Sequence, residues 1–207
     1  EIPKRDWSSD VCSSDLVLGD DEETAIEYRI EEKLGEGTHG VSYKVSDPDG
    51  GLYAIKYIKK KLTEKDEFLS FIKECIIQLL VVEVSEDAPR GPYGPRIYDI
   101  CYDDVNGEGF IRSELMRNTL ENLVKANSRR SNDSLVSDCL LQVSDMMDYL
   151  QKSLLFNHRD LKGDNLMYVK TDDDDDTRLW RFIDFGMSCI TWQGMKISGS
   201  SWFDEKR

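Results

Sequence analysis

Residues 157–165 read NHRDLKGDN, and nineteen residues beyond Asn165 stand Asp184, Phe185 and Gly186. The first segment carries a carboxylate at Asp160, a lysine at Lys162 and an amide at Asn165, and Asp184 adds a second carboxylate. These are side-chain types that phosphoryl transfer uses. Its transition state is loose and highly charged, so catalysis rests on positioning and charge neutralisation. Either segment alone could be a charged surface turn. Both in this order, separated by the strand-like runs 166–170 and 179–183, make chance a poor explanation. A third stretch points the same way. Gly35-Glu36-Gly37-Thr38-His39-Gly40, followed by Val41, fits G-x-G-x-x-G-x-V. Its glycines let the backbone approach phosphate oxygens closely and donate N–H groups to them. Alone this pattern also fits a dinucleotide-binding turn, but here a strand rather than a helix follows it.

Together the three stretches resemble the eukaryotic-type protein kinases, serine/threonine type. The resemblance runs from Tyr28 to Gly186, and its implications are as follows. The substrate is ATP with Mg2+, and the activity is phosphorylation of serine or threonine hydroxyls on a protein. Asp160 serves the acceptor hydroxyl, with Lys162 near the transferred phosphate. Asn165 and Asp184 hold the metal, while His158 and Arg159 brace their loop. The glycine loop, Leu34, Gly35, Glu36, Gly37, Thr38, His39, Gly40 and Val41, covers the nucleotide. His39 stands where the family commonly has an aromatic residue. Tyr53-Ala54-Ile55-Lys56 resembles the family's VAIK strand, so Ala54 would pack on adenine and Lys56 would meet the phosphates. Glu74, eighteen residues on, is the expected partner of Lys56, with Glu67 the weaker alternative. Ser113 takes the gatekeeper position, and Glu114 and Met116 would offer backbone groups to the base. The wording of 187–205 also resembles serine/threonine kinases of large DNA viruses.

These residues need a scaffold, and the periodicity outlines one. Alternation over 28–45 predicts two strands joined at the glycine loop, with a third at 52–59. Strands at 96–102 and 110–115, joined by a turn containing Asn106-Gly107, complete a five-stranded antiparallel small lobe. Phe68, Ile72, Cys75, Ile76 and Leu79 recur at helical spacing and predict a helix over 64–80 with that face buried. The prolines and glycines of 88–95 mark a loop. A short helix is expected over 119–126 and a longer one over 134–153, built on Leu135, Cys139, Val143, Met146, Met147 and Leu150. The five aspartates of 172–176 lack the spacing and glycine of a calcium loop, so 171–177 reads as an exposed acidic hairpin tip. The fold class is α+β. The small lobe and hinge take 25–116, and 117–207 is a partial, helical large lobe. It holds the catalytic loop and the start of an activation segment, where Ser188, Thr191, Ser198, Ser200 and Ser201 are hydroxyls open to phosphorylation. No Ala-Pro-Glu follows, so the large lobe is expected to leave apolar surface uncovered.

Composition narrows the partners. A formal net charge of −14 argues against nucleic acid and anionic membrane as partners and slightly favours basic substrates among proteins. No apolar run reaches membrane-spanning length. The five cysteines form no CxxC pair, and there are two histidines, so neither a zinc site nor a disulfide framework is expected. A reducing, cytoplasmic setting fits that usage. Residues 6–16, DWSSDVCSSDL, resemble a translated sequencing adapter, and 1–24 is set aside as non-native or disordered. Two other functional readings stay open: a nucleotide-binding pseudokinase or scaffold, and an inactive fragment of a kinase.

Overall fold

The computed structural model describes residues 15–18, 26–37, 40–58, 62–103, 106–127, 131–170 and 177–198. Thr38, His39, the aspartate run 172–176, Ser200 and Ser201 lie outside them. Six strands build the first sheet: β1 (Asp15–Leu18), β2 (Ile26–Gly37), β3 (Gly40–Ser46), β4 (Leu52–Ile58), β5 (Ile97–Asp103) and β6 (Glu108–Glu114). Their spatial order is β1-β2-β3-β4-β6-β5, every neighbour antiparallel. The five strands expected from the alternation are all present. The sixth, β1, pairs with the outer edge of β2, where an open strand presents unpaired N–H and C=O groups. It falls within the stretch that the sequence set aside.

Alternation along β4 and β6 feeds two clusters on opposite faces of this sheet. Ile55 and Phe110 join Tyr28 and Val45 on one face. Ile58 and Ile111 join Leu62, Phe71 and Cys75 on the other, which helix α1 (Lys65–Ser85) covers. The helix differs in phase from the expectation. Phe71, Cys75, Ile77 and Val81 are buried, whereas Ile76 and Leu79 are 36% and 41% exposed. The segment FIKECIIQLLVV is apolar nearly all round, so periodicity selects no single face. Two neighbours select it instead: the sheet takes Phe71 and Cys75, and the second lobe takes Ile77 and Val81.

The second lobe is built on α2 (Leu120–Ala126), α3 (Asp133–Leu154), the hairpin β7 (Leu166–Lys170) with β8 (Arg178–Phe182), and the hairpin β9 (Cys189–Trp192) with β10 (Met195–Ser198). Thr119 caps α2, its Oγ1 accepting from the Asn122 N–H at 3.1 Å. Cys139, Val143, Met146 and Leu150 of α3 are buried as expected, against Trp180, Phe182 and Phe185. Leu155 closes α3 in the left-handed region (φ 49°), and the Phe156 N–H returns to the Leu150 carbonyl. That reversal aims the chain into 157–165. The β9–β10 hairpin was not expected. Gln193 and Gly194 both take positive φ, 49° and 80°, which is the two-residue turn that suits strand twist.

Candidate active site

Lys56 lies on β4 with its Nζ 2.5 Å from Glu74 Oε1 of α1 and 3.9 Å from Asp184 Oδ1. Burial alone would lower the lysine's pKa, but Glu74 and Asp184 outweigh it and hold the ammonium above its ordinary value. Gly186 lies beside the two acids: a Cβ there would stand 3.4 Å from Asp184 Oδ1 and 3.5 Å from Glu74 Oε2, ordinary contact distances. Asp184 itself takes φ 59°. Its backbone is carried by β8, and the buried ring of Phe185 anchors the turn beneath α1.

Beside it, residues 157–165 form a second cluster. Lys162 Nζ lies 2.9 Å from Asp160 Oδ2. Asn165 donates Nδ2 to the Asp160 carbonyl at 2.9 Å and to its Oδ2 at 3.0 Å. The hydrogen bond from Lys162 is the largest influence on the Asp160 carboxyl, whose pKa is held below the ordinary range. His158 is 1% exposed among Phe156, Phe182 and Phe185, and its Nε2 meets the Ile183 carbonyl at 3.0 Å. Asn157 and Cys189 exchange two backbone hydrogen bonds of 2.9 Å, which ties the loop to β9. Ile183 N–H donates to the Asn165 carbonyl, so the two clusters share a backbone link.

A family model for the protein kinase domain matches residues 28–203. The chain belongs to the protein kinase family. Three relatives show how far the likeness extends. A probable serine/threonine-protein kinase of Clostridium acetobutylicum is 28% identical over 163 residues, 78% of this chain and 22% of the relative. Calcium-dependent protein kinase 28 of Oryza sativa subsp. japonica is 30% identical over 179 residues, 83% of this chain and 30% of the relative. A MAP kinase kinase of Caenorhabditis elegans is 26% identical over 159 residues, 74% and 40% of the two chains. The kinase chain thus spans less than half the length of each of these curated relatives. No helix among the described residues is long and apolar enough to cross a membrane.

Of the other candidate residues of the kinase, Thr38 and His39 lie outside the described residues, and the rest fall on β2, β3, β4 and β6 or directly after β6. Gly35 pairs with Ser42, Glu36 with Val41 and Gly37 with Gly40 across β2 and β3. A Cβ on Gly35 or Gly37 would meet nothing within 4 Å, whereas one on Gly40 would stand 2.1 Å from the Tyr57 carbonyl oxygen. Gly40 is therefore a packing requirement of the sheet, while Gly35 and Gly37 border open space. Leu34 is 43% exposed. Ala54 pairs with Ser113 on β6, which leads to Glu114 and Met116. The Glu114 N–H donates to the Arg96 carbonyl at 2.8 Å, and Glu114 stands opposite Tyr53 of β4.

The donor set fits Mg2+. Among the described residues no three His, Cys, Asp or Glu side chains converge on a metal position. Mg2+ at a phosphate site needs only one or two protein oxygens, with water and phosphate completing its shell. Asp184 supplies a carboxylate. Asn165, its nitrogen committed to Asp160, supplies an amide oxygen. Sequence reasoning missed Gly94 and Arg181. A Cβ on Gly94 would lie 3.3 Å from Phe185 Cζ, and Arg181 is buried beneath the same loop. The second had a signal, a lone charge inside the apolar run 179–183.

Proposed function

We propose that this kinase transfers the γ-phosphate of ATP to serine or threonine hydroxyls on a protein substrate. The observation that carries the reading is Lys56 Nζ held between Glu74 and Asp184, beside the Asp160–Lys162–Asn165 cluster. Glu74 fixes the ammonium where it meets the α- and β-phosphates. Backbone N–H groups at Gly35 and Gly37 close over those phosphates, and Ala54, Glu114 and Met116 bound the adenine. Asn165 and Asp184 hold magnesium, which when bound neutralises phosphate charge. Asp160, ionised at neutral pH under the hold of Lys162, orients the acceptor hydroxyl and takes its proton. Lys162 then faces the transferred group. The serine/threonine reading also draws on the names of the bacterial relative and on Lys162 itself.

The test is Asp160→Asn. Losing a positioned base costs about a hundredfold or more in rate, while ATP affinity by calorimetry stays near wild type. Full transfer by the variant would contradict the role of Asp160. ATP binding without transfer in the unaltered chain would favour the scaffold reading.

A further inference from the structure

Arg181 is 3% exposed, and among the described residues no carboxylate pairs with it. Its Nη1 donates to the carbonyls of Arg90 and Trp180, both at 2.9 Å, and Nη2 reaches the Gly91 carbonyl at 3.4 Å. Nε has no partner. Burial pulls the guanidinium pKa down to about 10, which still leaves it charged at neutral pH. A buried cation with an orphaned N–H is a costly way to fill space, and an apolar side chain of similar size would be cheaper. What it holds explains it better than stability does.

It holds the loop between α1 and β5 against the strand that delivers Asp184. Next to Arg181, the Phe182 N–H donates to the Tyr93 carbonyl at 2.9 Å. Gly94 then leaves room for the Phe185 ring. The same loop is tied to α1. Gln78 Nε2 donates to the Pro95 carbonyl at 2.9 Å, and Ser85 Oγ accepts from the Tyr93 N–H at 2.9 Å. Gln78 stands one helical turn after Glu74. One clamp is therefore tied to the elements that carry both carboxylates facing Lys56: β8, which leads to Asp184, and α1, which bears Glu74.

We infer that Arg181 is a positioning residue, setting Asp184 and Glu74 in register by clamping residues 90–93 onto β8. The inference rests on the proposed function, since it concerns the magnesium and phosphate groups of that site. It predicts that Arg181→Met and Arg181→Lys raise the Mg2+ concentration for half-maximal ATP binding about tenfold, the scale on which supporting partners of metal ligands act. Hydrogen exchange at the Phe182 amide should quicken in the same variants.

The experiment is calorimetric titration of the full chain with ATP across Mg2+ concentrations, with exchange at Phe182 read in parallel. Arg181→Lys keeps the charge and is the variant to read if Arg181→Met does not melt cooperatively. Val143→Ala, a core truncation in α3, is the control: it should lower the melting temperature without moving the Mg2+ dependence. Added guanidinium should restore part of the Mg2+ response of Arg181→Met. Wild-type Mg2+ dependence in both variants, with ATP bound normally, overturns the inference alone. So does a shift in Val143→Ala equal to theirs, or loss of cooperative folding in both variants. If the unaltered chain shows no Mg2+-dependent ATP binding, the functional reading falls and the inference falls with it.

Discussion

His158 shows what burial does to a single titratable group. Desolvation lowers its pKa, and the ring sits neutral with Nε2–H donating to Ile183 and Nδ1 without a partner. A proton on Nδ1 would place a charged donor in an aromatic pocket with nothing to accept it. A folded pKa below the unfolded value gives stability that is complete above the unfolded value of about 6.5 and is lost as pH falls from there through the lower folded value. The melting temperature should therefore drop as pH falls below about 6.5. His158→Gln keeps a donor for Ile183 and should flatten that part of the profile. An unchanged slope in the variant would assign the acid sensitivity elsewhere. The chemistry-bearing residues were legible in the sequence because each motif is short and local: Asp160, Lys162 and Asn165 meet within six residues of chain. Arg181 was less legible, because its partners lie in a loop some ninety residues away.

At the level of elements, the glycine loop divides into two kinds of glycine. Gly40 backs onto β4, and its Cβ would collide with the Tyr57 backbone, which cannot swing aside as a side chain can. Gly40→Ala should cost about 1–3 kcal/mol, the range for overpacking. Gly37→Ala has open space and should stay within about 0.5 kcal/mol of wild type. Urea denaturation of the two variants reads the difference, and equal losses would contradict it. The pattern G-x-G-x-x-G treats these glycines alike, and geometry separates them. Helix α1 makes the same point about legibility. Its existence and its Glu74 could be read from spacing to Lys56. Its buried face could not, because apolar residues surround it and two lobes compete for them. The β9–β10 hairpin was hidden for a different reason, since Gln-Gly is a weaker turn signal than Asn-Gly.

Across the whole molecule, helix α1 joins the two lobes. Ile77 and Val81 of α1 pack with Phe185, Phe182 and Leu150, so the helix that carries Glu74 is seated partly on the second lobe. That seating keeps Lys56, Glu74 and Asp184 together. On α3, Leu140 and Leu141 are 58% and 68% exposed. Apolar area left in water adds nothing to stability, at about 25 cal/mol for each Å² that burial would have contributed. A ligand that bridges the lobes should then have a visible effect on melting. The most direct test of a working magnesium–nucleotide cleft is a thermal melt of the full chain with and without magnesium-ATP, alongside Lys56→Ala. The account predicts a cooperative transition that nucleotide raises, worth about 2.7 kcal/mol at a hundred times the dissociation constant, and a smaller rise in Lys56→Ala. A cooperative melt that nucleotide leaves unmoved would contradict it.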